Sequence, residues 1–304
     1  MDERQWLVGR FEERRPQLRA VAYRMLGSLA DADDAVQDAW ERVNRAGTDD
    51  VENLNAWLTT IVARICLNTL RSRNMRHEDA AGAFVPDPVV AIDGQPLPED
   101  EALMADSVGL ALQVVLDTLS PAERLAFVLH DMFDLPFDEI GPLMGRTTQA
   151  TRQLASRARR RVRNAEGPPP ERDLARQRAV VNAFFAAGRA GDFSALVALL
   201  HPDVVLRADF SPGRPRKSTV VRGAEAVARA AQLGARPAAQ VLPALVNGTA
   251  GVVIIMRGRP FAIMAFTISE DRITEIDSIG DPDRVKKLTA DLVIGADQAD
   301  DTEQ

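Results

Sequence analysis

Apolar residues recur every three or four positions along the first quarter of the chain. In "FEERRPQLRAVAYRML", Phe11, Leu18, Val21, Ala22 and Met25 share one helical face, and Gly27 ends the pattern. In "LADADDAVQDAWERV", Ala32, Ala35, Val36, Ala39, Trp40 and Val43 form a stripe, with Asp31, Asp33, Asp34 and Asp38 in the half where the helix dipole favours negative charge. "NAWLTTIVARICLNTLRSR" predicts a third helix, strongly apolar and ending in arginines. The periodicity then stops. Residues 76–104 are rich in Pro, Gly and acid and read as a linker, with Phe84, Val85 and Val89 as apolar beads.

Helical spacing resumes over 105–163. Ser120 caps a helix, Pro121 sits in its first turn, and Glu123 completes the S-x-x-E box. "PFDEIGPLMG" gives a short helix closed by Gly145, and "TTQATRQLASRARRRV" gives another, together a helix-turn-helix pattern. A second linker covers 164–171. Beyond it the period changes again. A helix bearing Val180, Val181, Phe184 and Phe185 leads to "VVLRAD", and from 241 strands alternate with turns at Asn247-Gly248, Arg257 to Pro260 and "SEDR". Helices first and a bent antiparallel sheet afterwards predict an α+β domain over 172–290. Residues 291–304 form a polar tail.

Composition changes this picture in a few places. The 304 residues, 46% apolar, suit two or three domains with real cores. Cys66 is the single cysteine, so no disulfide forms within the chain, in keeping with a reducing compartment. "MDERQW" has no signal-peptide core, and no apolar stretch reaches the roughly 18 residues of a membrane span. A cytoplasmic protein without membrane attachment is expected.

Charge is more informative. The net charge is -7, yet residues 145–165 carry seven arginines and no acid. On a helical wheel Ala150, Leu154, Ala158 and Val162 face a core, while Thr148, Arg152, Ser156, Arg159 and Arg163 fall on the opposite side. Arginine clamps phosphates or reaches guanine edges, and threonine contacts either. A solvated helix face explains many charge runs, but a turn and partner helix directly before this one favour DNA binding.

A simple helix-turn-helix repressor would not need the N-terminal helices. "DADDAVQDAWERV" (31–43) and "NAWLTTIVARICLNTLRSR" (55–73) resemble region 2 of the extracytoplasmic-function sigma factors, and "LSPAERLAFVLHDMFDLPFDEIGPLMGRTTQATRQLASRARRRV" resembles their region 4. The resemblance implies two all-α modules, 1–75 and 105–163. Asp33, Asp34, Gln37, Asp38 and Trp40 would meet the β′ coiled coil of core RNA polymerase. Trp57, Arg64, Arg71 and Arg73, with Arg76 nearby, would meet the −10 element and help to melt it. Thr148, Gln149, Arg152, Ser156 and Arg159 would read the −35 element, and the upper surface of region 4 would meet the β flap. Asn68 stands where many relatives have Asp.

The third domain resembles the SnoaL-like (NTF2-like) cone that one subgroup of these sigma factors carries. The linker motif W-L-P-E-P of relatives is here Phe84, Val85, Pro86, Asp87, Pro88, and N-P-D-K-L is Asp281, Pro282, Asp283, Arg284, Val285. A D-G-G-G-K segment has become "DFSPGRP" (209–215), which departs from the pattern. The resemblance implies that the cone contacts linker and core module and regulates them. Phe84 and Pro86–Pro88 are expected to pack on the cone, and a small-molecule effector in the cone is a further candidate partner.

Catalysis would need a tuned acid or base in an apolar pocket. The candidates are His201 at a turn, Asp209 at a strand end and Asp277 in the last strand, and none has a partner at dyad spacing. His77, His130, His201 and Cys66 lie too far apart in sequence to suggest metal ligands. No phosphate-binding loop is present. The expectation is a promoter-directing factor, with no enzyme activity, cofactor or metal. The alternative is a helix-turn-helix regulator that senses a ligand through its cone and does not bind polymerase.

Overall fold

Gly27 sets the first boundary. α1 (Glu3–Leu26) ends on it with φ +70°, and α2 (Leu29–Ala46) and α3 (Leu54–Asn74) complete a three-helix module around buried Phe11, Leu18, Met25, Val36, Leu58, Val62 and Cys66. The computed structural model describes residues 3–46, 53–74, 84–92, 110–165, 170–210, 218–236, 238–290 and 292. The second helical module follows as α4 (Leu110–Asp117), α5 (Pro121–Phe127), a π-helical turn (Val128–Met132), α6 (Phe137–Met144) and α7 (Thr148–Ala165).

The expected capping box is present. Ser120 Oγ accepts from Glu123 N at 3.4 Å, and Glu123 Oε2 accepts from Ser120 N at 3.2 Å. Gly145 closes α6 in the left-handed region at φ 65°, which favours glycine. The following turn folds back so closely that a Cβ on Gly141 would stand 2.9 Å from Arg146 O. Thr147 Oγ1 then accepts from Ala150 N at 3.2 Å and starts α7.

Residues 1–88 and 98–171 form one compact unit; 89–97 and 172–304 form the other. The second unit contains a seven-stranded sheet in the order β1-β4-β5-β6-β7-β2-β3. Its strands are β1 (Val90–Ile92), β2 (Leu200–Asp209), β3 (Thr219–Arg222), β4 (Gln240–Val246), β5 (Thr249–Met256), β6 (Arg259–Ser269) and β7 (Arg272–Ile279). Asn247 and Gly248, Arg257 and Gly258, and Glu270 and Asp271 all have positive φ and form two-residue hairpin turns. The helices α8 (Leu174–Ala190), α9 (Phe193–Leu199) and α10 (Ala224–Gly234) contribute Val180, Val181, Phe184, Leu196 and Val227 to one core with Leu200, Val252, Phe266, Ile268 and Ile276 of the sheet. α11 (Pro282–Leu288) packs on β6.

Two expectations need correction. The sheet is mixed, because β2 runs parallel to β7 at its far end (Leu206 opposite Ile276). The linker also contains a strand. β1 adds to the edge of β4, with Val90 opposite Val246 and Ile92 opposite Ala244.

Candidate nucleic-acid interface

α7 buries Thr151, Leu154, Ala155, Ala158 and Val162, whereas Ala150, expected in the core, is half-exposed. Gln149, Arg152, Gln153, Ser156, Arg160 and Arg163 are exposed, and Thr148 is partly so. The seven arginines are not equivalent. Arg157 and Arg161 reach back to Glu123 at 3.4 and 3.0 Å, and Arg159 bonds Asp131 of the π turn at 2.5 Å. Arg152 lies 5.8 Å from the centroid of the Phe137 ring, which itself stacks on His130 at 3.8 Å. Arg160 and Arg163 pair with no described carboxylate.

Glu123 is 5% exposed. Burial pushes its carboxyl up, but the Ser120 hydroxyl and backbone N–H, followed by Arg161 and Arg157, outweigh that and hold it below the ordinary range. One carboxylate thus caps α5 and turns two arginines away from the outer face. Of the residues expected on that face, Thr148, Gln149, Arg152 and Ser156 are available, while Arg159 is engaged with Asp131. Arg160 and Gln153 join them, and counting exposed positions on a longer wheel would have found both.

On α3, Trp57 is half-exposed and Arg64 and Arg71 are exposed, with Asn68 between them, on the side away from Leu58, Val62 and Cys66. Arg73 lies in the last turn, and Arg76 is outside the described residues. On α2, Asp34, Gln37 and Asp38 are exposed. Asp33 instead bonds Arg19 of α1 at 2.5 and 3.0 Å, and Trp40 packs on Phe11 with centroids 4.9 Å apart. Those two residues tie the module together.

The linker divides at Pro88. Phe84 is 46% exposed, whereas Val85 at 0% and Val89 at 2% are buried. Asp87 N donates to Gly27 O at 2.8 Å and Tyr23 Oη to Asp87 O at 2.7 Å, both within the helical unit. The part that joins the sheet lies further on. Val89 N donates to Asn247 Oδ1 at 2.7 Å, and Asn247 N donates to Val89 O at 2.9 Å. The run "VVAI" was the available signal for β1; nothing in the sequence marked Asn247 as its clamp.

Asp281 caps α11 by accepting from Arg284 N at 2.9 Å, Pro282 opens the helix with Asp283 in its first turn, and Val285 is buried. Arg284 bonds Asp209 at 2.6 Å, so Asp209 holds α11 in place. The 211–215 part of "DFSPGRP" is outside the described residues. His201 Nδ1 accepts from Asp203 N at 3.2 Å.

Asp277 is 3% exposed and bonds Arg207 at 3.0 Å; the same guanidinium reaches Glu275 at 3.1 Å. Burial, with Glu275 adding repulsion, pushes the Asp277 carboxyl up to about 6 against the opposing pull of Arg207. The folded state therefore keeps a proton that the unfolded chain, titrating near 3.8, gives up. This group's contribution to stability is largest below pH 4 and falls through pH 6, by about 3 kcal/mol in all. Asp277→Asn is expected to abolish that fall. Urea unfolding from pH 4 to 7 checks it, and parallel profiles for the two proteins would remove burial as the cause.

Comparison with known proteins adds to this geometry. Family models for sigma-70 region 2 and sigma-70 region 4 match residues 10–76 and 109–162. The ECF RNA polymerase sigma factor SigJ of Mycobacterium tuberculosis is 37% identical over 294 residues, covering 91% of this chain and 92% of the relative. A probable ECF sigma factor, SigI, of the same organism is 33% identical over 277 residues, covering 90% and 92%. The crystal structure of M. tuberculosis SigJ superposes with a TM-score of 0.70 at 34% identity, covering 91% of this chain and 97% of that one.

Proposed function

Since the chain belongs to the extracytoplasmic-function RNA polymerase sigma factors, we propose that it directs initiation through separate surfaces on α2, α3 and α7. It binds core RNA polymerase and brings it to promoters. α7 reads the −35 element with Thr148, Gln149, Arg152 and Ser156, and Arg160 joins them. Arg159 contributes once it leaves Asp131. α3 meets the −10 element with Trp57, Arg64, Arg71 and Arg73. Asp34, Gln37 and Asp38 of α2 face the β′ coiled coil, with Asp33 and Trp40 setting the helix in place, and the second module meets the β flap. The observation that carries this reading is the exposed, acid-free basic face of α7 behind a glycine-closed turn.

The SnoaL-like cone regulates these surfaces in place of a separate partner. Support comes from the linker, which α1 holds at Asp87 and the sheet holds at Val89. Phe84–Pro88 and Asp281–Val285 are the segments through which the cone acts, and a small molecule bound in the cone would be its effector. Asp277, the buried carboxylate of the cone, is paired with Arg207. The site of action is the cytoplasm, where polymerase works.

Equilibrium binding of the full chain to core polymerase lacking a sigma subunit tests the reading. Nanomolar binding is expected, and replacing both Asp34 and Asp38 with arginine should weaken it about tenfold, as like charges meet. No binding by the wild type would remove the first step. Unchanged binding by the variant would move the contact off α2.

A further inference from the structure

A phenyl ring at the start of the helix-turn-helix is not taken up by the core. Ile140, Leu143 and Met144 of α6 are buried, whereas Phe137, in the first turn after Pro136, is half-buried. Its ring stacks on His130 with centroids 3.8 Å apart and planes 29° from parallel. His130 is fixed in turn. Its Nδ1 donates to Leu135 O at 2.8 Å, and Leu135 N donates to Leu129 O at 2.9 Å, closing the π turn. The ring is thus held by the π turn and reached by α7.

What reaches it is Arg152. Its guanidinium carbon lies over the ring, 5.8 Å from the centroid and within range of cation–π attraction. The other arginines of this helix are treated differently. Arg157, Arg159 and Arg161 are held by acids, and Arg160 and Arg163 pair with no described carboxylate. An acid orients an arginine but also neutralises it, whereas an aromatic ring orients it and leaves its charge for another partner. Among the described residues, Arg152 is the exposed arginine of α7 that is placed in this second way.

Placement matters more for one kind of DNA contact than for the other. A guanine edge takes a guanidinium through O6 and N7 in one orientation, while phosphates accept it from many directions. A long, flexible side chain loses rotamer freedom when it is fixed in one geometry, and a platform that fixes it beforehand lowers that loss. The gain falls on the base contact and hardly on the phosphate contact.

We propose that Phe137, backed by His130, is a positioning residue that sets Arg152 to read a guanine edge in the −35 element. It contributes sequence discrimination through Arg152 and little general affinity. This rests on the sigma-factor reading above.

The test compares holoenzymes on a duplex that the wild type selects from a random pool and on an unrelated duplex of equal length. Phe137→Leu should weaken binding to the selected duplex about fourfold and change the unrelated one by less than about twofold. The salt slope should not change, because no phosphate contact is lost. Phe137→Tyr, which keeps the ring, should match the wild type. In an Arg152→Ala background Phe137→Leu should cost nothing further, and a scan of the −35 base pairs should show both single variants relaxing the same position. Circular dichroism confirms the folds, with Phe137→Met as a second ringless variant. No loss, equal losses on the two duplexes, or the same loss with and without Arg152 overturns the proposal. In the free chain the ring current of Phe137 should move the Arg152 side-chain protons upfield, a shift that vanishes in Phe137→Leu. If the wild type fails to bind polymerase, the sigma-factor reading fails, and this magnetic-resonance comparison still decides whether Phe137 sets Arg152.

Discussion

Replacing Arg152 and Arg160 together with alanine is expected to lower the affinity of the holoenzyme for a promoter fragment about a hundredfold at physiological salt. Each arginine on a DNA-facing helix is worth about 1–3 kcal/mol when it reaches a base edge, and less at a phosphate. Arg160 has no described carboxylate partner to lose, and Arg152 is already propped over Phe137. Two fewer phosphate contacts would also make the salt dependence shallower by about 1.8 in log–log slope. Arg157 and Arg161 provide the control, since both are tied to Glu123. Their double replacement should change affinity less than threefold. Equal losses from the two pairs would mean that the DNA-facing side of α7 has been assigned wrongly.

The second large effect concerns the cone. Phe266 is 3% exposed on β6, with the rings of Phe184 and Phe185 at 5.8 and 6.0 Å. These three rings hold α8 on the sheet, in edge-to-face arrangements that add to simple burial. Phe266→Ala removes the central ring and leaves a hole that a close-packed core fills only in part. The expected cost is about 3–5 kcal/mol, enough to lower the melting temperature of this unit by about 10–20 °C. Calorimetry with near-ultraviolet circular dichroism measures it. A loss under about 1 kcal/mol would show that the helix–sheet interface collapses freely and is not packed as described.

Much of the architecture was legible because its signals are local. Ser120 and Glu123, Gly145, and the four-residue spacing of Leu154, Ala158 and Val162 each announce themselves within a few residues, as do the Asn247-Gly248 turn and the meander after it. What stayed hidden depends on partners far along the chain. β1 is three residues long and finds β4 only in the folded unit. The parallel pairing of β2 with β7 follows from chain reversal at both ends of the meander, which no periodicity encodes. The division of the α7 arginines was hidden for the same reason, because Glu123 and Asp131 select among them only once the helices pack. Asp277 stood out in the sequence only as an acid in the last strand, and the register of β2 on β7 puts Arg207 opposite it.

The placement of β1 also imposes an order of events on synthesis. Its partner strand β4 follows about 150 residues later, so at about 5–20 residues per second the ribosome leaves Val90–Ile92 without a strand to join for about 8–30 seconds. Both helical modules are complete within that interval, and α1 can bind Asp87 long before Asn247 exists to bind Val89. The nascent chain therefore passes through a stage in which the sigma modules are finished and the sheet domain is not. During that stage the unpaired β1 segment is a short, apolar edge that the cell must keep from other chains.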